Sequence, residues 1–290
     1  MFGRRPDGRR LDTIDPIVRF MPYIMKTRND ASNLITEYVD YEPIAEYIRK
    51  RSKENRRISF MALIMAAYVR AVSEYPALNR FIMNKQVFAR NEIVVSLTVL
   101  RKSKERDTDD EALLKMRFEP DATLDEVNAE LESKLAEGTD GDADNGTVKF
   151  ANALLKCRPL VSIVVALAKL LDNWGLLPKW LYDISPFHCS MFLTNMASIG
   201  MPSLYHHLYN FGNTTVFIAM GKFEKQLTVN SDGVSTKTVI PLGVTTDERI
   251  CGGADYAKGF AAFKKYLIHP ELLEERPAEV KSEIPHKKTK

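Results

Sequence analysis

The chain has 290 residues, 45% of them hydrophobic, with 41 basic against 38 acidic side chains for a net charge of +3. That is enough apolar material for a sizeable core, and a near-balanced charge with no arginine-aromatic stripe or zinc-finger spacing argues against a nucleic-acid partner. Three scattered cysteines, Cys157, Cys189 and Cys251, fit a reducing compartment better than a disulfide framework, so the cytoplasm is expected.

At the start, Arg4-Arg5 and Arg9-Arg10 read as a solvated basic tail, as Lys287-Lys288-Lys290 do at the end, leaving a core over about residues 14–273. Charges and Pro6 stand where a signal peptide would need its apolar region. Leu34 to Asp40 suggests a strand, after which Pro43 opens a helix with Ile44, Tyr47 and Ile48 on one face. Ser59 is an N-cap for Phe60 to Glu74, which is apolar nearly all round and therefore belongs in the core. Ile93 to Leu100 is a β-branched run with Lys115 to Phe118 as a short neighbour, and Leu124 to Leu135 reads as helix. Gly138 to Gly146 is a polar loop. Asp140, Asp142 and Asp144 imitate the start of a calcium loop, but Asn145 and Ala151 occupy the positions that need glycine and a carboxylate.

Leu154 to Asp172 reads as a second apolar helix with Gly175 as C-cap and Pro178 beyond it. Ser162 and Lys169 interrupt its apolar run, which falls short of the roughly 20 residues that span a bilayer, so no membrane span is expected. Core or subunit contact is its favoured role. Membrane docking would require a clear charged face. Ser190 to Thr194, Thr215 to Phe223 and Lys237 to Thr246 are strand-like, with a turn at Asn230-Ser231-Asp232-Gly233 making a hairpin of the last two. Tyr256, Phe260, Phe263 and Leu267 then share a helical face that ends at His269-Pro270.

Four phrases in this order resemble the catalytic domain of the acyltransferase component of 2-oxo acid dehydrogenase complexes, to which chloramphenicol acetyltransferase is similar. They are Ser59-Phe60 opening a buried helix that closes in Tyr75-Pro76-Ala77-Leu78-Asn79, then Phe192-Leu193-Thr194-Asn195-Met196, then Asp247-Glu248-Arg249-Ile250-Cys251-Gly252-Gly253-Ala254, and finally Tyr266 to Leu273. The resemblance implies an α/β fold with a mixed sheet flanked by helices, one catalytic domain over residues 1–290 without lipoyl or subunit-binding modules, and no lipoyl group on this chain. It also implies coenzyme A or its acyl ester as co-substrate, a small-molecule or protein-bound thiol or hydroxyl as acyl acceptor, and a homotrimer with active sites at subunit boundaries.

In that family the closing motif runs His-x-x-x-Asp-Gly, the histidine serving as a base near neutrality. Here Glu248 stands at the histidine position and Gly252 at the aspartate position, while Asp247, Arg249, Cys251 and Gly253 keep the surrounding pattern. The family's aspartate pairs with an arginine near the N-terminus, for which Arg19 is the candidate. A glutamate ordinarily titrates near 4.3 and a thiol near 8.5, so proton transfer is uphill by roughly 5.7 kcal/mol unless burial raises the carboxyl. Thr194 matches the hydroxyl that donates to the oxyanion, with Asn195 and Gly200 completing the phrase. His188 shares the strand parity of Thr194 and stays open as a substitute base, although it would lie roughly 20 Å away along a strand. Histidine spacing offers no metal site. Two readings stand together: an acyltransferase with an atypical base, and a non-catalytic relative that keeps the trimer for ligand binding or assembly.

Overall fold

The computed structural model describes residues 4–102, 109–139, 155–156, 158–230 and 233–283. Strands β1 (Arg4–Arg5) and β2 (Gly8–Arg10) precede helix α1 (Pro16–Ile24), strand β3 (Ser32–Asp40) and helices α2 (Tyr41–Lys53) and α3 (Phe60–Glu74). Four strands follow, β4 (Arg80–Met83), β5 (Gln86–Arg90), β6 (Ile93–Lys102) and β7 (Asp109–Phe118), and then helices α4 (Leu124–Thr139), α5 (Arg158–Asn173) and α6 (Lys179–Ile184). Strands β8 (Met191–Asn195), β9 (Val216–Met220), β10 (Glu224–Asn230) and β11 (Gly233–Asp247) lead to the closing helix α7 (Gly253–Ile268).

Among the described residues these strands form two sheets. The larger has seven strands in the order β10-β11-β9-β8-β6-β7, with β3 also paired to β11. It is mixed, because β8 runs parallel to both β6 and β9 while its other pairings are antiparallel. Long β11 serves three partners: its first half pairs with β10, and its second half lies between β3 and β9. The expected α/β class with a mixed sheet flanked by helices is what the chain adopts.

Helix α3 explains why the core sits where it does. Ser59 Oγ accepts the Ala62 N–H at 3.0 Å and caps the first turn, and Ala62 through Ser73 are all buried. Such a helix has no solvent face, and α4 and α7 cover it. Arg70 is reconciled with this burial by donating to the Leu272 and Glu275 carbonyls while its guanidinium lies over Tyr266. On the sheet, Gly243 lets another stretch of backbone lie directly against β11. A Cβ there would come 2.2 Å from the Leu204 carbonyl oxygen, so the segment after β8 can cross only where the strand carries no side chain.

The structure corrects several boundaries. Arg5, 7% exposed, is not part of a solvated tail: β1 and β2 join β4 and β5 in a second, four-stranded sheet, and Leu11 is buried. Ordered backbone also passes residue 273, since the Lys281 N–H donates to the Ser73 carbonyl and Glu283 pairs with Arg80. A strand missing from the sequence reading, β10, supplies the first arm of the 230–233 hairpin. Helix α5 is not core in the single chain, because Leu160, Ile163, Leu167 and Leu170 are exposed. Its C-cap is as expected: Gly175 has φ +69°, and the Leu176 and Gly175 N–H groups donate to Leu171 and Asp172. Most of the 138–146 loop, including the aspartates of the calcium-like stretch, and Cys157 lie outside the described residues.

Candidate active site at the 247–254 turn

Strand β11 ends at Asp247, and a short 3-10 turn, Glu248–Ile250, joins it to α7. Two of the eight residues of this segment hold its shape. Arg249 grips Asp247 in a two-pronged ion pair, Nε to Oδ1 at 2.8 Å and Nη2 to Oδ2 at 2.7 Å, and both are buried. The third guanidinium nitrogen donates to the Met25 carbonyl at 3.1 Å, which ties the turn to the chain after α1. Tyr256 donates its hydroxyl proton to the Asp247 carbonyl at 2.6 Å, fastening the same turn to α7. Asp247 and Arg249 therefore form a frame.

That frame leaves Glu248 facing outward. Its N–H donates to the Ala31 carbonyl at 2.8 Å, but its side chain is exposed in the single chain. Gly252 is the N-cap of α7 and offers no side chain to the helix's first N–H groups. A Cβ added at Gly252 or Gly253 would meet nothing within 4 Å, so the absent carboxylate at 252 reflects residue choice and not lack of room.

Thr194 occupies the end of β8, half-buried, beside Thr98 and Ala219 on the neighbouring strands. Among the described residues its hydroxyl has only the soft Met196 Sδ, at 3.9 Å, as a partner, so the proton is available to a stronger acceptor. Asn195 takes a capping role: its Oδ1 accepts the Ser198 N–H at 3.2 Å, and Gly200 closes that 3-10 turn with φ +73°. Thr194 and Glu248 do not meet within one chain. Ala219 beside Thr194 stands opposite Gly243, and Glu248 lies five residues further along the chain, roughly 17 Å at strand rise.

Arg19 is exposed on α1 and makes no ion pair among the described residues. The buried arginine that follows α1 is Arg28, 7% exposed, donating to the Ile82 and Tyr209 carbonyls while its Nε has no hydrogen-bond partner. Burial pushes Arg28 down to about 10, against the pull of nearby Asp247, which leaves it a cation at neutral pH. In the sequence Arg28 sits in a polar Lys-Thr-Arg-Asn-Asp run, and nothing local distinguishes it from a surface residue.

His188 belongs to a buried network. Its Nε2 lies 3.0 Å from Asp172 Oδ2 and its Nδ1 2.8 Å from Ser185 Oγ. Asp172 also takes the Arg5 guanidinium at 2.7 Å and the Tyr182 hydroxyl at 3.2 Å. Burial lowers the His188 pKa against the pull of Asp172, so the ring is held neutral. It fastens α5 to the N-terminal strands and does not face Thr194. His206 stacks on Phe217, and among the described residues no group of histidine, cysteine and carboxylate side chains could hold a metal ion. Cys189 and Cys251 are both free and buried.

Residues 189–274 match the model of the 2-oxoacid dehydrogenases acyltransferase catalytic domain, a stretch that contains Thr194 and the whole 247–254 turn. Among solved structures, the cubic core of the pyruvate dehydrogenase multienzyme complex is similar at a TM-score of 0.55 and 11% identity, over 89% of this chain and 88% of that one. The Azotobacter vinelandii dihydrolipoamide acetyltransferase, whose catalytic mechanism has been investigated at a serine, a histidine and an asparagine, gives 0.55 and 11%, over 91% and 94%. Chloramphenicol acetyltransferase gives 0.51 and 13%, over 90% and 99%. No curated protein matches the chain. At such identities these likenesses establish the fold, and the 247–254 turn occupies the closing part of the matched stretch.

Proposed function

We propose that the protein is a coenzyme A-dependent acyltransferase that works as a homotrimer, with Glu248 of one subunit as base and Thr194 of its neighbour as oxyanion donor. The observation that carries this reading is the buried Asp247–Arg249 clamp, which presents the intervening Glu248 outward on a rigid turn. A rigid presentation of an otherwise unused carboxylate is what a shared site requires. The separation of Glu248 and Thr194 within the chain means that such a site needs a second subunit, which would also provide the burial that raises a carboxyl towards the range of a working base. Support for association comes from β10 and β11, whose hairpin exposes Leu227, Val229 and Val234.

In this scheme Glu248 takes the proton of the acceptor thiol or hydroxyl as its sulfur or oxygen attacks the thioester carbonyl. The Thr194 hydroxyl donates to the developing oxyanion. Collapse breaks the bond from carbonyl carbon to sulfur, and the departing coenzyme A thiolate receives the proton from Glu248. The cytoplasm, where buried free thiols persist, is the proposed setting. Gly252 favours a second reading, a non-catalytic trimer that binds ligand or supports assembly, because the motif's carboxylate is missing although space for it exists.

Thiol release from acetyl-coenzyme A with a panel of small acceptors, run beside thermal shift, separates the two. Turnover in the wild type, reduced about 100-fold or more in Glu248→Gln and in Thr194→Ala with melting temperatures unchanged, is the expected result. A shift in melting temperature with coenzyme A but no turnover would select the second reading. Neither turnover nor a shift would remove the enzyme assignment.

A further inference from the structure

A cavity of about 290 Å³ opens where the chain after α1, the β4–β5 turn and the C-terminal end of α5 come together. Its wall includes Arg28, and Lys26, Lys85 and Lys169 stand exposed at its edge. None of these four cations has a carboxylate within ion-pair distance among the described residues. Asp172 and Arg249 also line the cavity, but each is already matched, Asp172 by Arg5 and Arg249 by Asp247. The cavity is therefore left with an uncompensated positive field.

We propose that this cavity binds a phosphate-class anion, a diphosphate or phosphodiester group held by Arg28 at the wall and by Lys26, Lys85 and Lys169 at the mouth. Three observations converge on it. Arg28 is more than nine-tenths buried in the cavity wall, held by the Ile82 and Tyr209 carbonyls with its Nε unpartnered and no carboxylate bound to it among the described residues, so its charge is only partly satisfied there. Like charges gathered around one concavity repel one another and are relieved by an anion. Finally, Lys85 has φ +57° beside Asn84 at +47° in the two-residue turn joining β4 to β5, where asparagine followed by glycine is the relaxed choice. A lysine at that position places a long basic side chain at the cavity edge at the expense of backbone comfort, its ammonium resting over the Tyr23 ring without a carboxylate partner among the described residues.

Two sources could deliver such a group. Exposed Ile17 and Phe20 on α1 and Ile163 and Leu167 on α5 belong to the helices whose ends border the cavity, which suits a phospholipid headgroup. A soluble diphosphate offers the same oxygens without the membrane. The site makes no demand on Glu248 or Thr194, so it stands whether or not the protein transfers acyl groups.

Inorganic pyrophosphate titrated by calorimetry at low and high salt tests the soluble source. Flotation with phosphatidylcholine vesicles, with and without phosphatidylglycerol, tests the lipid source. Binding in one arm is expected, weakened by salt and reduced about fivefold by each of Lys85→Gly and Lys169→Ala. Lys85→Gly relaxes the turn, so its melting temperature should hold or rise, and lost binding there cannot be lost folding. Saturable pyrophosphate binding assigns a soluble ligand, and binding confined to phosphatidylglycerol vesicles assigns a headgroup. No binding in either arm, or binding indifferent to both substitutions, overturns the proposal.

Discussion

Replacing Asp172 with asparagine probes the buried network that ties α5 to the N-terminal strands. The carboxylate, 2% exposed, accepts from Arg5 at 2.7 Å and Tyr182 at 3.2 Å and lies 3.0 Å from His188 Nε2. Asparagine has the same shape, so the change adds no cavity; it removes the charge and turns one of the two acceptor oxygens into a donor. Breaking a buried ion pair from one side costs about 3–5 kcal/mol. Arg5 would retain Asp7 at 2.9 Å, which places the expected loss at the lower end, about 3 kcal/mol, or roughly 6–12 °C in Tm for a chain of this size.

The pH dependence supplies a second readout. Burial opposes ionisation of Asp172, but the hydrogen bond with His188 and the charge and hydrogen bond of Arg5 outweigh it and hold the carboxyl down to about 2. A depressed folded value means that the carboxylate's contribution is complete above the ordinary value near 3.8 and is lost as pH falls through about 2. The stability gap between wild type and Asp172→Asn should therefore hold or widen from neutral pH to about 4 and close below it. His188, depressed by burial against the pull of Asp172, weakens the fold of both proteins as pH drops below about 6.5, and the variant, which lacks that pull, loses no less than the wild type. Urea unfolding followed by circular dichroism across this range measures both effects. A loss under about 0.5 kcal/mol at pH 7, the scale of a surface substitution, would refute the network and restore the solvated-tail reading of Arg5. So would a gap that is undiminished at pH 2.

Two further substitutions test the frame of the site. Gly243→Ala should destabilise by about 3 kcal/mol or more in the same unfolding experiment, because its Cβ would fall 2.2 Å from backbone oxygen and not from a movable side chain; a neutral result would show that the 201–205 segment does not lie on β11. Gly252→Asp should raise stability by a few tenths of a kcal/mol by capping α7 in space that is already open, read as a small increase in Tm. A drop in Tm would mean that an added carboxylate is unwelcome beside the buried Asp247.

Local signals carried much of the fold. Ser59 before an all-round apolar segment, Gly175 after one, and the β-branched run from Ile93 each placed an element because capping, chirality and pleat act over a few residues. The phrases around Thr194 and Glu248 likewise pointed to the acyltransferase fold, and the substitutions at 248 and 252 were plain in the sequence. What could not be read there depended on partners distant along the chain. Arg5 looks like any basic terminus until Asp172 arrives 167 residues later, and Arg28 cannot be told from exposed Arg19 without the packing of β4 around it. Helix α5 reads as core by hydrophobicity, yet the burial of an apolar side chain depends on what covers it, and among the described residues Ile163 and Leu167 stay exposed. Tertiary structure alone turned the 247–254 turn from a run of altered residues into a clamp of Asp247 and Arg249 that holds Glu248 outward, because the burial of that local pair, its ties to the distant Met25 and Ala31 carbonyls and the exposure of Glu248 depend on how the whole chain folds around the turn and not on its neighbours in sequence.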